Sequence, residues 1–288
     1  MALILVAATE PGAGATTVAT GLAHRLAHAG HAVRVERLRD GTDDARALAD
    51  AEVFGTLEFA ASSGTPVEAT GPGSPDGVVI LEAPSGADAM ALATQLGAKL
   101  VLVTPAGGTV GGAATDGAAL VIETRTRDAR PGLLPEDRAL AAPRVAELIA
   151  ASGAEVLSRS ERGDDAVCDY ILVGAISHDA ADTYFERFPR SAVVTRGGRV
   201  DLALAAIAAR TECLILSGGG APSPYILDRA AASRDTTLLL TRGDTPSTVH
   251  AIEGTFGTSP FAGESKVERA GELMRTTLDD AALQALIA

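Results

Sequence analysis

Residues 9–17, Thr-Glu-Pro-Gly-Ala-Gly-Ala-Thr-Thr, have the residue types of a loop that holds phosphate. Glycines admit dihedrals that turn successive backbone N–H groups inward, and the N-terminus of a following helix adds positive potential. The usual pattern, G-x-x-x-x-G-K-[ST], adds a lysine for the β- and γ-phosphates and a hydroxyl for magnesium. Laid on that pattern, Thr9 stands at the first glycine, Gly14 at the second, Ala15 at the lysine and Thr16 at the hydroxyl. Glu10, Gly12 and Thr17 complete the candidate nucleotide contacts. A hydrogen bond to a charged group contributes about 1.5–3 kcal/mol. Without the lysine, affinity should fall by about one to two decades. Phosphoryl transfer should suffer more, because charge develops where that lysine would act. Arg37 or Arg39 could restore part of the charge, so the cofactor expectation is ATP with magnesium, bound weakly or not at all. The plainer alternative is a tight glycine turn without a ligand.

No nucleophile–base pair is evident. Ser217 and Ser223 have no His or Lys partner at a telling spacing, and G-x-S-x-G does not occur. His24 and His28 share a helix face, which reads as a polar surface more readily than as a metal site. Cys168 and Cys213 are too few for a disulfide framework and lie in or beside apolar runs, as reduced core residues do.

The elements around these residues alternate. "LILVAA" (3–8) is a buried-strand run, followed by a helix from Thr16 to about Ala29 that Gly30 ends. "AVRVERL", "VVILEA", "AKLVLVTP" and "ALVIET" read as further strands, residues 88–97 as a helix, and 125–143 as a connection. A helix at 144–152 and a polar linker at 158–167 precede a second series. In that series "YILVGAIS", "SAVVTR", "ECLILSGGG" and "TTLLLTRGD" are strands, and 179–187, 200–209, 224–233 and 245–253 are helices. Such alternation predicts parallel α/β sheets in two domains. Hydrophobic residues are 47% of the 288, aromatics only 3%, so the core is built from Ala, Val, Leu and Ile. A net charge of −13 argues against nucleic acid or anionic membrane as a partner. No apolar run approaches the roughly 20 residues that span a bilayer, and the N-terminus lacks a signal peptide's pattern. The expectation is a cytoplasmic protein.

Two resemblances follow. "TEPGAGATTVATGLAHRLAHAG" with "VVILEAPSG" resembles the dethiobiotin synthetase-like P-loop family over about residues 1–125. The resemblance implies a magnesium site at Thr16 and Glu82, with Asp43 or Asp44 near a further acidic position. It places Arg37 about where a substrate lysine follows the second strand. The departures fall at the chemistry: Ala15 for the lysine, "EAPSG" for a glycine-rich stretch, Glu123 near a base-recognising asparagine, and a shortened 105–140.

"LLPEDRALAAPRVAELIAASGAEVL" (133–157), "YILVGAISHDAADTYF", "VVTRGGRVDLALAA", "CLILSGGGAPSPYILDRA", "LLLTRGDTPSTVHAIE" and "GESKVERAGELM" (263–274) are similar to the DRTGG domain. Gly198-Arg199 stands for Asp-Arg of its signature, and Ser217-Gly218-Gly219 for Thr-Gly-Gly. Backbone N–H groups of that glycine loop could hold an anion, with Asp244 on the same sheet edge and Arg199 and Asp201 nearby. DRTGG domains are implied to mediate dimerisation and regulation. The pair of modules resembles the N-terminal regulatory region of long phosphotransacetylases and its free-standing relatives.

The expected organisation is a degenerate P-loop domain (1–158), a DRTGG domain (159–275) and a tail (276–288). The expected function is a regulatory or scaffolding pseudo-ATPase, without catalytic residues, that assembles as a homodimer and serves an unidentified enzyme partner. The alternatives are an ATP- and magnesium-dependent ligase-like enzyme and a nucleotide or anion sensor.

Overall fold

The structure, a computed structural model, describes residues 2–39, 45–69, 77–108, 117–175 and 183–288. Asp43 and Asp44 lie outside them. The chain divides into two α/β units, Met1–Asp137 with Phe261–Ala288, and Arg138–Pro260.

In the first unit, β1 (Ala2–Ala8), β2 (Val33–Arg37), β3 (Val78–Glu82), β4 (Lys99–Pro105), β5 (Leu120–Thr126) and β6 (Leu133–Pro135) form one sheet in the order β2-β3-β1-β4-β5-β6. Every pairing is parallel. Parallel strands are buried on both faces, hence the continuous apolar runs. The helices are α1 (Ala15–His28), α2 (Ala45–Gly55) and α3 (Ala89–Leu96). Leu3, Leu5 and Ala7 of β1 pack with Ala93 and Leu96 of α3. The chain leaves β1 for β2 on one side and later reaches β4 on the other. That reversal puts the carboxyl end of β1, and therefore loop 9–14, at the switch point where open α/β sheets bind ligands.

The second unit holds α4 (Arg138–Ala141), α5 (Val145–Ser152), β7 (Glu155–Ser158), β8 (Tyr170–Val173), β9 (Ser191–Arg196), α6 (Val200–Ala208), β10 (Cys213–Ser217), α7 (Pro224–Ser233), β11 (Thr237–Leu240) and α8 (Thr245–Glu253). Its sheet runs β7-β11-β10-β9-β8, parallel except for β7 against β11. Leu202 of α6 and Ile226 of α7 pack with Val193, Leu214 and Leu238. Val145 of α5 and Ile252 of α8 pack with Val194, Ile215 and Leu239. The sheet is therefore covered on both faces. Cys168 and Cys213 are free and buried, their thiols pushed up by burial.

The C-terminal segment differs from the sequence expectation. Here α9 (Glu264–Thr277) and α10 (Asp280–Ile287) return to the first unit, whereas "GESKVERAGELM" reads as part of the second module. The contact with α1 has a steric signature. A Cβ on Gly21 would lie 2.9 Å from the Ala270 carbonyl oxygen, and one on Gly271 only 2.3 Å from His24 Nδ1. His24, whose ring stacks on His28 with centroids 4.0 Å apart and meets Phe59 edge-on, thus packs α1 against its neighbours. The end of α9 is tied to the sheet edge, where Gly132 N–H donates to the Thr277 carbonyl at 2.8 Å.

Two further differences concern 125–143 and 158–167. The first contains β6 and α4 rather than a bare connection. The second is not a linker between units: β7 enters it, and Ser160 N–H donates to Thr237 Oγ1 at 3.1 Å inside the second unit.

Candidate functional sites

In the first unit, Gly12 (φ 81) and Gly14 (φ 97) both take the left-handed region, where a side chain would be strained. Gly14 is the N-cap of α1 and no side chain caps the helix, so its first turn, with Ala15, Thr16 and Thr17, presents N–H groups without a capping acceptor. Thr9 N–H donates to the Val103 carbonyl at 2.9 Å, Ala13 N–H to the Glu10 carbonyl at 3.2 Å, and Glu10 itself is exposed. The loop's carbonyls are occupied: Thr124 Oγ1 donates to Ala13 O at 2.7 Å and Arg125 Nη2 to Gly12 O at 2.7 Å. Arg125 has φ 57, and the β5–β6 register shifts between Thr124 and Thr126. A bulge there re-aims the side chain, and it brings a guanidinium to the loop whose lysine position is a buried Ala15.

Beside that loop lies a buried polar cluster. Thr16 Oγ1 is 3.0 Å from Glu82 Oε1 and 3.2 Å from Asp50 Oδ1. Arg37 is also buried. Its Nη1 donates to the carbonyls of Leu38 (3.2 Å) and Glu82 (3.3 Å), and its Nε is 3.6 Å from Asp50 Oδ2. The sequence expectation of Arg37 as substitute for the lysine therefore meets a different arrangement. Arg37 is engaged with Asp50 and the strand ends, and the arginine bonded to the loop backbone is Arg125. Glu82 is pushed up to about 8, first by burial and then by the Asp50 charge, against the pull of Arg37, Thr16 and Arg46. Its Oε2 is buried without a hydrogen-bond partner. A hydroxyl and two carboxylates are the hard oxygen donors that suit magnesium, and a cation would satisfy the orphaned oxygen. The residues fit such an ion with Asp50 in the acidic role, while Asp43 lies outside the described residues. Among the described residues no group of three or more His, Cys, Asp or Glu converges on a metal position.

In the second unit, the glycine loop after β10 is closed on itself. Gly218 N–H donates to the Gly243 carbonyl at 2.8 Å and Gly219 N–H to Thr241 at 2.9 Å. These donors are satisfied by the neighbouring loop, so the anion-holding role expected for Ser217-Gly218-Gly219 has no free N–H at those two glycines. Ser217 Oγ bonds the Thr195 carbonyl (3.2 Å) and lies 2.7 Å from Thr245 Oγ1. Asp244 caps α8, accepting from Ser247 N–H at 2.8 Å, which holds its carboxyl below the usual range. Arg199 grips Asp201 with Nε at 2.9 Å and Nη2 at 2.7 Å, lowering that carboxyl to about 2. Next to these residues a cleft of about 650 Å³ opens at the carboxyl ends of β8 and β9, with Arg196, Arg199, Thr245 and His250 in its lining.

Asp50 and Arg125 are the functional candidates that sequence reasoning missed. Asp50 sits mid-helix among alanines, and Arg125 lies past the apolar run "ALVIET" like any polar residue. Only the register of β5 and the placement of α2 bring them to Thr16 and Gly12.

The fold and these sites define a two-unit α/β protein with a glycine loop at the switch point of its larger sheet. The family model described as DRTGG domain matches residues 147–255, and the second unit carries that domain. The chain is also similar to a crystal structure of the CBS and DRTGG domains of the regulatory region of Clostridium perfringens pyrophosphatase, complexed with its activator, diadenosine tetraphosphate. The identity is 17%, the TM-score 0.33, and the likeness covers 42% of this chain and 52% of that one, about half its length. No described helix is long and apolar enough to cross a membrane.

Proposed function

We propose that this is a regulatory protein: loop 9–17 holds a phosphate-bearing ligand without turning it over, and the DRTGG domain assembles the chain into a homodimer that serves an enzyme partner. The observation that carries the reading is the loop itself. Gly12 and Gly14 keep left-handed geometry and α1 opens without a cap, while the position of the catalytic lysine is the buried Ala15. Backbone donors and a helix terminus are enough to hold an anion. They do not supply the mobile positive charge that phosphoryl transfer needs. The resemblance to the phosphotransacetylase regulatory region points to control of a metabolic enzyme rather than to catalysis. Where magnesium accompanies the ligand, Thr16, Glu82 and Asp50 would hold it, and the ion would screen the phosphate charge.

Titration calorimetry with ATP and ADP, with and without magnesium, and an assay of phosphate release test this reading together. Binding that Thr16→Ala weakens, without phosphate release, is expected. Phosphate release that Thr16→Ala abolishes would favour the second reading, a dethiobiotin synthetase-type ligase. Arg125 on the loop and the oxygen cluster around Thr16 are the observations on that side. Solution size measurement checks the dimer.

A further inference from the structure

The cleft of the second unit lies outside the carboxyl ends of its parallel strands, the edge where open α/β sheets take ligands. Its volume of about 650 Å³ is that of a small-molecule site, since such pockets run from about 300 to 1,000 Å³. The floor is fixed by close packing. Gly174 N–H donates to the Val194 carbonyl at 2.7 Å, Thr195 Oγ1 donates to the Gly174 carbonyl at 3.1 Å, and a Cβ at Gly174 would lie 3.0 Å from Thr195 Cβ.

The walls are of two kinds. Val173, exposed at the end of β8, and Val249 on α8 are apolar. Arg196 and Arg199 are cationic, while the N-terminus of α8 at Thr245 is already capped by the Asp244 carboxylate. Arg196 is exposed and makes no ion pair among the described residues. Arg199 is held in one orientation by Asp201. Glu253, further along α8, makes the opposite rim acidic, and at the near rim Asp201 neutralises part of Arg199, so the cation there without an ion pair among the described residues is Arg196.

We propose that this cleft binds a small phosphate-bearing molecule of mononucleotide size. Its phosphate lies on Arg196 and Arg199 at the start of α8, and its apolar body lies against Val173 and Val249. The site is in a different unit from loop 9–17 and does not depend on that loop's ligand.

Calorimetry on the full chain tests it, with AMP, GMP, CMP and UMP as probes and inorganic pyrophosphate as the anion without an apolar body. At least one mononucleotide is expected to bind and pyrophosphate to bind more weakly. Arg196→Ala should weaken binding by about tenfold or more. Val249→Trp should abolish it by filling the cleft, and every titration is made in a Thr16→Ala background, which weakens binding of the same probes to loop 9–17. Arg196 is exposed, so its variant keeps the test decisive if Val249→Trp fails to fold. In that background, failure of all four mononucleotides, binding that survives Arg196→Ala, or pyrophosphate binding as tight as theirs would each overturn the proposal.

Discussion

Glu82 is the residue whose chemistry is most displaced from the ordinary. Its carboxyl, with a pKa of about 8 in the folded chain and 4.5 as its usual value, binds its proton more tightly folded than unfolded. A raised acid pKa contributes stability that is present at low pH and lost as pH rises between those two values. The melting temperature should therefore fall from pH 5 to pH 8, and Glu82→Gln should flatten that part of the profile. Magnesium should restore stability at pH 8, because a cation favours the carboxylate. A pH series of thermal melts on both chains, with and without magnesium, measures each effect. At position 15 the expectation runs the other way. Ala15→Lys should tighten ATP binding by about ten- to a hundredfold if the loop framework is intact, which calorimetry reads directly. Arg125→Ala, which removes the guanidinium bonded to Gly12 O, should weaken the same binding.

At the scale of elements, the strands were the most legible part of the sequence. "VVIL" and "CLIL" are uninterrupted apolar runs because their strands are covered on both faces. The helix after the glycine loop was legible from its apolar spacing and its terminal glycine. What was not legible depends on contacts distant in sequence. The spacing of Val267, Ala270, Leu273 and Met274 in "ESKVERAGELMRTT" marks one apolar helix face, but nothing in the segment says that this face returns to the first unit. The glycines at that contact give a measurable consequence. Gly271→Ala places a methyl on the His24 ring and should destabilise by about 1–3 kcal/mol, as overpacking does. A smaller loss is expected for the double variant His24→Ala, Gly271→Ala. Denaturant titrations of the single and double variants give the coupling. The site was half legible in the same way: Thr16 and Glu82 were readable from motif and resemblance. Asp50 and Arg125 were not, because a bulge and a helix placement bring them in.

For the whole molecule, the two units differ from the division expected from sequence, 1–158 and 159–275, since the first ends at Asp137 and resumes at Phe261. A chain ended at residue 260 should lose the cooperative folding of its first unit, although the missing part reads as the end of the second module followed by a tail. The fragment 138–260 keeps a complete sheet covered on both faces and should fold alone. Circular dichroism melts of the two pieces check both statements. The function proposed for the whole molecule rests on a loop that holds phosphate without transferring it. The most direct measurement is a single-turnover experiment, with magnesium and ATP below the concentration of the protein. The loop geometry and Ala15 predict ATP retained intact on the protein, and less of it retained on Thr16→Ala. Release of inorganic phosphate at enzymatic rates, lost in Thr16→Ala, would contradict that claim.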